Sequence, residues 1–257
     1  MFVNYTKDKQ KMVKNIIKKN QVVKSPGVKK VNNIKKSIIK KPKLTKANGA
    51  ETATSKTSLS SKSDLTIGKT NVTKLLREKY KKLGKGQLTL LQLCPIEKYI
   101  DVNAEALKIL INELNYECVY ITLSKPANEL DKLYKTKGIN TNKLFFIDAI
   151  SQMYGVQQKS SKKTVYVSGP LDIDSITASI REMLSSLGEK KCVFLDSITT
   201  VLLYNSLPRT IRFSQFLTQT LKKIGVDGVL VSIAKGATTE KLVSELSKLC
   251  DEVINIE

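Results

Sequence analysis

The chain has no histidine and only four cysteines in its 257 residues. Without histidine, Ser-His-Asp and Cys-His catalysis and histidine-ligated metals are excluded. The cysteines, Cys94, Cys118, Cys192 and Cys250, form no CxxC pair. A zinc site would have to draw cysteine-only ligands from four distant places. Three of the four adjoin or lie in apolar runs and read as buried, reduced thiols, which suits a cytoplasmic protein. No stretch reaches the roughly 18 apolar residues of a membrane helix. Lys7, Lys9, Lys11 and Lys14 are followed by no apolar core, so the N-terminus does not read as a secretory signal.

Acidic residues are scarce at the N-terminal end. Residues 1–69 hold 18 lysines and 3 acids, a net +15, while the other 188 residues hold 26 Lys+Arg and 20 acids, a net +6. Within residues 1–64 the last aromatic is Tyr5, and Pro26-Gly27 and Pro42 interrupt any long helix. Such a segment buries too little apolar surface to offset its ordering entropy, and it reads as a disordered, basic tail. Two patches stand out, Lys11, Lys14, Lys18 and Lys19 around Val13, Ile16 and Ile17, and Lys35, Lys36, Lys40 and Lys41 around Ile38-Ile39, with Lys29 and Lys30 between them. Short basic amphipathic pieces dock on nucleic acid or an anionic membrane, or simply solvate the chain. With no aromatic interleaved, a nucleic-acid contact would be to phosphates.

What is present from residue 65 onward is an alternation of strands and helices. Helices read at Val72 to Leu83, capped by Thr70 or Asn71, at Val102 to Leu114, capped by Asp101, and at Pro126 to Lys137. Further helices read at about Asp174 or Ser175 to Leu187, Leu207 to Ile224, with Ile211, Phe213, Phe216, Leu217, Leu221 and Ile224 as its apolar side, and Thr239 to Cys250. Strands read at Gln87 to Leu93, Cys118 to Thr122, Leu144 to Ile147, Val165 to Val167, Cys192 to Asp196, Val229 to Ile233 and Glu252 to Ile256. This pattern specifies an α/β domain with a mainly parallel sheet. The organising stretch is Cys192-Val193-Phe194-Leu195-Asp196-Ser197-Ile198-Thr199-Thr200, a continuous apolar run ending in a carboxylate. It reads as a strand buried on both faces, with Asp196 at the end where open α/β sheets bind ligands.

Gly68-Lys69-Thr70 spells the end of a phosphate-binding loop, yet position 63 is serine where the motif needs glycine, and no strand precedes it. The match is accidental. The loop after the first strand, Cys94-Pro95-Ile96-Glu97-Lys98-Tyr99-Ile100, contains no glycine, so its backbone N–H groups lack the freedom to wrap a phosphate, and Glu97 would repel one.

Residues 65–257 resemble the RecA-like ATPases, in particular the KaiC-type branch of archaea and bacteria. Cys192–Thr200, continued by Val201-Leu202-Leu203-Tyr204-Asn205, resembles the Walker B strand with its Asp-Ser continuation. Cys118-Val119-Tyr120-Ile121-Thr122-Leu123 resembles the second strand, and Leu144-Phe145-Phe146-Ile147-Asp148 the one after it. The resemblance implies a three-layer α/β/α RecA-like domain, with ATP and magnesium as the family's ligands and side-by-side assembly with another copy or an active homologue. By analogy it also implies an accessory role in a membrane-associated motor or signalling complex.

The departures redirect the functional expectation. Between the first strand and its helix only Lys98 remains of the phosphate loop. Leu123-Ser124-Lys125-Pro126 stands where the family has acidic residues, and the next carboxylate is Glu129. Phosphoryl transfer rests on positioning and electrostatic stabilisation of the phosphates, so the expectation is a non-catalytic regulatory or scaffold domain with no catalytic residue and no cofactor. The alternative keeps an unusual nucleotide site, with Lys98, Asp196 and Ser197 as ligands, Asp101 nearby, and Asp196 holding magnesium only if nucleotide binds. Further alternatives are a nucleic-acid protein acting through the basic tail and a Rossmann-like transferase using Asp148, Asp196, Ser197 and Ser232.

Overall fold

In the computed structural model the described residues are 63–83, 88–155, 158–233 and 237–256. The tail lysines Lys11, Lys14, Lys18, Lys19, Lys29, Lys30, Lys35, Lys36, Lys40 and Lys41 lie outside them. In chain order the elements are α1 (Ser63–Tyr80), β1 (Thr89–Cys94), α2 (Tyr99–Leu107), β2 (Glu117–Thr122), α3 (Ala127–Thr136), β3 (Leu144–Asp148) and β4 (Thr164–Tyr166). They continue with α4 (Ile173–Ser185), β5 (Lys191–Asp196), α5 (Ile198–Tyr204), α6 (Leu207–Lys223), β6 (Asp227–Ile233), α7 (Ala237–Ser247) and β7 (Glu252–Asn255).

The seven strands form one sheet in the order β4-β3-β2-β5-β6-β1-β7, with every pairing parallel. The apolar runs explain the centre of this order. Cys192, Val193, Phe194 and Leu195 of β5 are buried, as are Cys118 to Ile121 of β2 and Val229 to Val231 of β6. Each fully buried Val, Leu or Phe is worth about 1.5–3 kcal/mol, so these three strands belong where both faces are covered. One face is covered by α1, α2 and α3, the other by α4 to α7. The three-layer α/β/α arrangement with a parallel sheet expected from the sequence is the one the chain adopts.

Helix α6 shows how a partly polar sequence supplies a buried face. Thr210, Ser214 and Thr218 are buried beside Phe213, Leu217 and Leu221. Each of their hydroxyls donates to the carbonyl four residues back, at 3.1, 2.9 and 2.9 Å, so no polar group is stranded. The helix lies so close to β6 that a Cβ on Gly228 would stand 2.8 Å from Leu221 Cδ1. Two residues read as part of its apolar side, Phe216 and Ile224, instead face solvent.

Several local expectations are corrected. The first helix begins at Ser63, not at a Thr70 or Asn71 cap, so Gly68-Lys69-Thr70 lies within a helix. Asp101 is not a cap: α2 starts at Tyr99, with Lys98 at its N-cap, and Asp101 lies in the first turn. That helix ends at Leu107 and passes into a π-helical stretch, Lys108–Glu113. The cap of α4 is Asp172, which accepts from Ser175 N at 3.1 Å, rather than Asp174 or Ser175. Sequence periodicity missed α5, a helix of 7 residues opened by Ser197. No helix among the described residues is long and apolar enough to cross a membrane.

Candidate functional site

The sheet topology locates the site. The helices after β1 and β2 lie on one face, and those after β4, β5 and β6 on the other. The neighbours β1 and β6, and likewise β2 and β5, therefore send their chains to opposite faces, and their C-terminal ends are the position at which open α/β sheets bind ligands. The register places Thr122 beside both Asp148 and Asp196, with Val231 next to Asp196 and Cys94 beside Ile233.

Strand alternation puts Phe194 and Asp196 on the face covered by α2 and α3, together with Tyr120 of β2. Asp196 is 2% exposed. Its Oδ2 accepts from the Tyr120 hydroxyl at 2.6 Å, and the Tyr134 hydroxyl of α3 lies 2.9 Å from that of Tyr120. Tyr120 has a single hydroxyl proton, so Tyr134 is the donor in the second bond. The Tyr120 ring stacks on Phe194 (centroids 5.2 Å apart, planes at 10°) and meets Phe146 at 5.8 Å and Tyr134 at 5.7 Å. Burial, and after it the Asp196 carboxylate, push both tyrosine hydroxyls well above their ordinary titration range. Both rings therefore stay protonated as donors, and the end of β5 is a closed, aromatic-walled carboxylate.

The segment over β1 is a tight turn, closed by Lys98 N donating to Pro95 O at 3.1 Å. Lys98 is exposed. The Cys94 thiol beneath it is pushed up to about 12, first by burial and then by the Asp196 carboxylate, with Lys98 acting in the opposite direction. The Cys94 thiol thus feels both the Asp196 carboxylate and the Lys98 ammonium.

The other sequence candidates are held by contacts within the fold. Ser197 is buried and caps α5, accepting from Thr200 N at 3.2 Å, and its hydroxyl lies 3.0 Å from that of Thr200. The Asp196–Ser197 peptide bond is cis. Asp148 is fully buried and accepts from Ala127 N (2.7 Å), Ile150 N (2.9 Å), Ser151 N (2.8 Å) and the Ser151 hydroxyl (2.7 Å), tying β3 to the start of α3. Ser232 is buried 3.1 Å from the Thr199 hydroxyl, which also accepts from Ile233 N at 2.8 Å. Asp101 pairs at the surface with Lys137, 2.7 Å away. Among the described residues no group of three or more Cys, Asp or Glu is placed to hold a metal ion.

Sequence reasoning missed the partners of Asp196. The available signal was a tyrosine inside the apolar run of β2, because a buried tyrosine hydroxyl requires a partner. It missed a second buried polar chain for the same reason. Tyr80 of α1 donates to Gln92 Oε1 at 2.7 Å, and Gln92 Nε2 donates to Asn103 Oδ1 of α2 at 3.0 Å. Gln92, a polar residue in a buried strand, was the visible sign.

A family model described as "Family of unknown function (DUF7090)" matches residues 99–257. No match is found among curated proteins. Among solved structures the chain is similar to a KaiC-like protein from the hyperthermophilic archaeon Pyrococcus horikoshii, with 17% identity and a TM-score of 0.49 over 66% of this chain and 71% of that one. A likeness at that level says nothing about activity.

Proposed function

We propose, from the premise that the chain belongs to the DUF7090 family, that it is a non-catalytic RecA/KaiC-like domain acting as a regulatory or scaffold protein. The observation that carries this reading is the state of Asp196. A carboxylate that holds a nucleotide's magnesium needs an oxygen presented to the ligand. Here the residue is 2% exposed and its Oδ2 is held by Tyr120 within four stacked or tilted rings. The turn above β1 offers no glycine, and Lys98 stands exposed outside any backbone cradle. The Asp196 Oδ2 atom is committed to the tyrosine pair, which supports the non-catalytic reading. What supports the retention of Asp196 is its part in the packing of β2, β5 and α3.

The test is calorimetric titration of the full chain with ATP and ADP, with and without magnesium, beside an Asp196→Asn variant that keeps an acceptor for Tyr120. The basic tail attracts any polyanion, so the titration is repeated at raised salt. No salt-resistant binding is expected. Micromolar binding that survives salt and is weakened by Asp196→Asn would establish a nucleotide site of unusual design instead.

A further inference from the structure

The chain carries 44 Lys+Arg, and only four of these are arginine: Arg77, Arg181, Arg209 and Arg212. Three of the four line one groove of about 420 Å³ between α4 and α6, and no lysine lines it. The fourth, Arg77, makes a two-pronged bond to Glu113 at 2.7 and 2.8 Å. Arg77 thus uses the planar fork that lysine lacks. Among the described residues no salt bridge joins Arg181, Arg209 or Arg212 to a carboxylate. Arg181 lies 5.5 Å from the centroid of the Phe216 ring, which is 42% exposed, and Phe213 forms the buried floor. At the rim Arg209 donates to the Leu171 carbonyl at 3.3 Å, and the Leu171 side chain is 53% exposed.

We propose that the groove between α4 and α6 docks an acidic segment of a partner protein, with its carboxylates on the three guanidiniums and an apolar side chain against Phe216. The composition favours protein over nucleic acid. The cores of protein interfaces are enriched in arginine and aromatics and depleted of lysine, whereas phosphate backbones are neutralised by lysine as well as arginine. This chain has lysine in abundance and places none in the groove. The chain's own residues 1–69, at a net +15, are repelled by the arginines, and a second copy in a two-fold contact would set arginine against arginine. The groove lies on the face of the sheet opposite the Asp196 cluster, so the inference stands whether or not nucleotide binds.

The full chain is panned against a displayed pool of short peptides rich in Asp and Glu around one variable position. Retained peptides are then measured by fluorescence anisotropy against wild type, Arg181→Glu, Arg212→Glu, Arg212→Lys and Phe216→Ala, and a thymidine oligomer of equal length is run in parallel. All proteins keep the tail, so tail binding is common to every arm. Retained peptides should carry Phe, Leu or Ile at the variable position. They should bind the charge-reversal and Phe216→Ala variants about tenfold more weakly or worse. Arg212→Lys should also lose affinity, because the charge remains but the fork does not. Circular dichroism melting should show all variants folded, since the replaced side chains are exposed. The proposal is overturned if no retained peptide distinguishes wild type from the variants. It is equally overturned if the oligomer, rather than the peptides, is the ligand whose binding they reduce.

Discussion

Replacing Tyr120 by phenylalanine removes one oxygen from the interior and leaves the ring stack on Phe194 in place. Two hydrogen bonds disappear. One is the 2.6 Å bond to the Asp196 carboxylate, and bonds to charged groups contribute about 1.5–3 kcal/mol. The other is the 2.9 Å bond from Tyr134, a neutral pair worth about 0.5–1.5 kcal/mol. The variant should therefore lose about 3 kcal/mol, and for a domain of this size the melting temperature should fall by about 6–12 °C. Denaturant unfolding of wild type, Tyr120→Phe, Asp196→Ala and the double variant forms a cycle. If Asp196 is retained as a packing partner, each single change destabilises and the coupling energy is about 1.5 kcal/mol or more. A residue retained for ligand chemistry behaves differently, because removing it is often neutral or stabilising. A Tyr120→Phe protein within about 0.5 kcal/mol of wild type, or an Asp196→Ala protein more stable than wild type, would refute the reasoning.

Two further outcomes follow from charge. Partial burial raises the Asp251 carboxyl, but Lys222 at 2.7 Å and the Thr89 N–H at 2.7 Å outweigh it and bring the group below the ordinary carboxylate range. A lowered carboxyl stabilises the fold fully above its unfolded value and loses that contribution as pH falls through the folded one. Asp251→Asn should therefore be less stable at neutral pH and lose stability less steeply on acidification, and chemical denaturation across a pH series will test this, parallel acid limbs counting against it. In the tail, changing Lys11, Lys14, Lys18 and Lys19 together to glutamine should lower the slope of log affinity for duplex DNA against log salt by up to about 3–4. An unchanged slope in a filter-binding titration would mean that these lysines touch no phosphate.

The sequence by itself determined the class of fold. Continuous apolar runs such as Cys192 to Leu195 need cover on both faces, and only a parallel sheet between helices supplies it. Their alternation with helical segments settles the layers, while the absence of histidine excludes every histidine-based site. Helix ends were less legible, because capping is a matter of local geometry: Asp172 rather than Asp174 opens α4, and Asp101 opens nothing. Tertiary structure alone decided what surrounds Asp196. Its position at a strand end was visible in one run of nine residues, but its partners come from β2 and α3, 76 residues away for Tyr120. Strand order likewise brings Asp148 and Asp196 to either side of Thr122. The arginine groove has the same origin. Arg181 and Phe216 lie on different helices with a buried strand between them in sequence, and no periodicity read along the chain could bring them together. Helical periodicity assigned Phe216 to the core; the packing of α6 on β6 turned it outward, because the surface that the sheet offers is already filled by Phe213, Leu217 and Leu221.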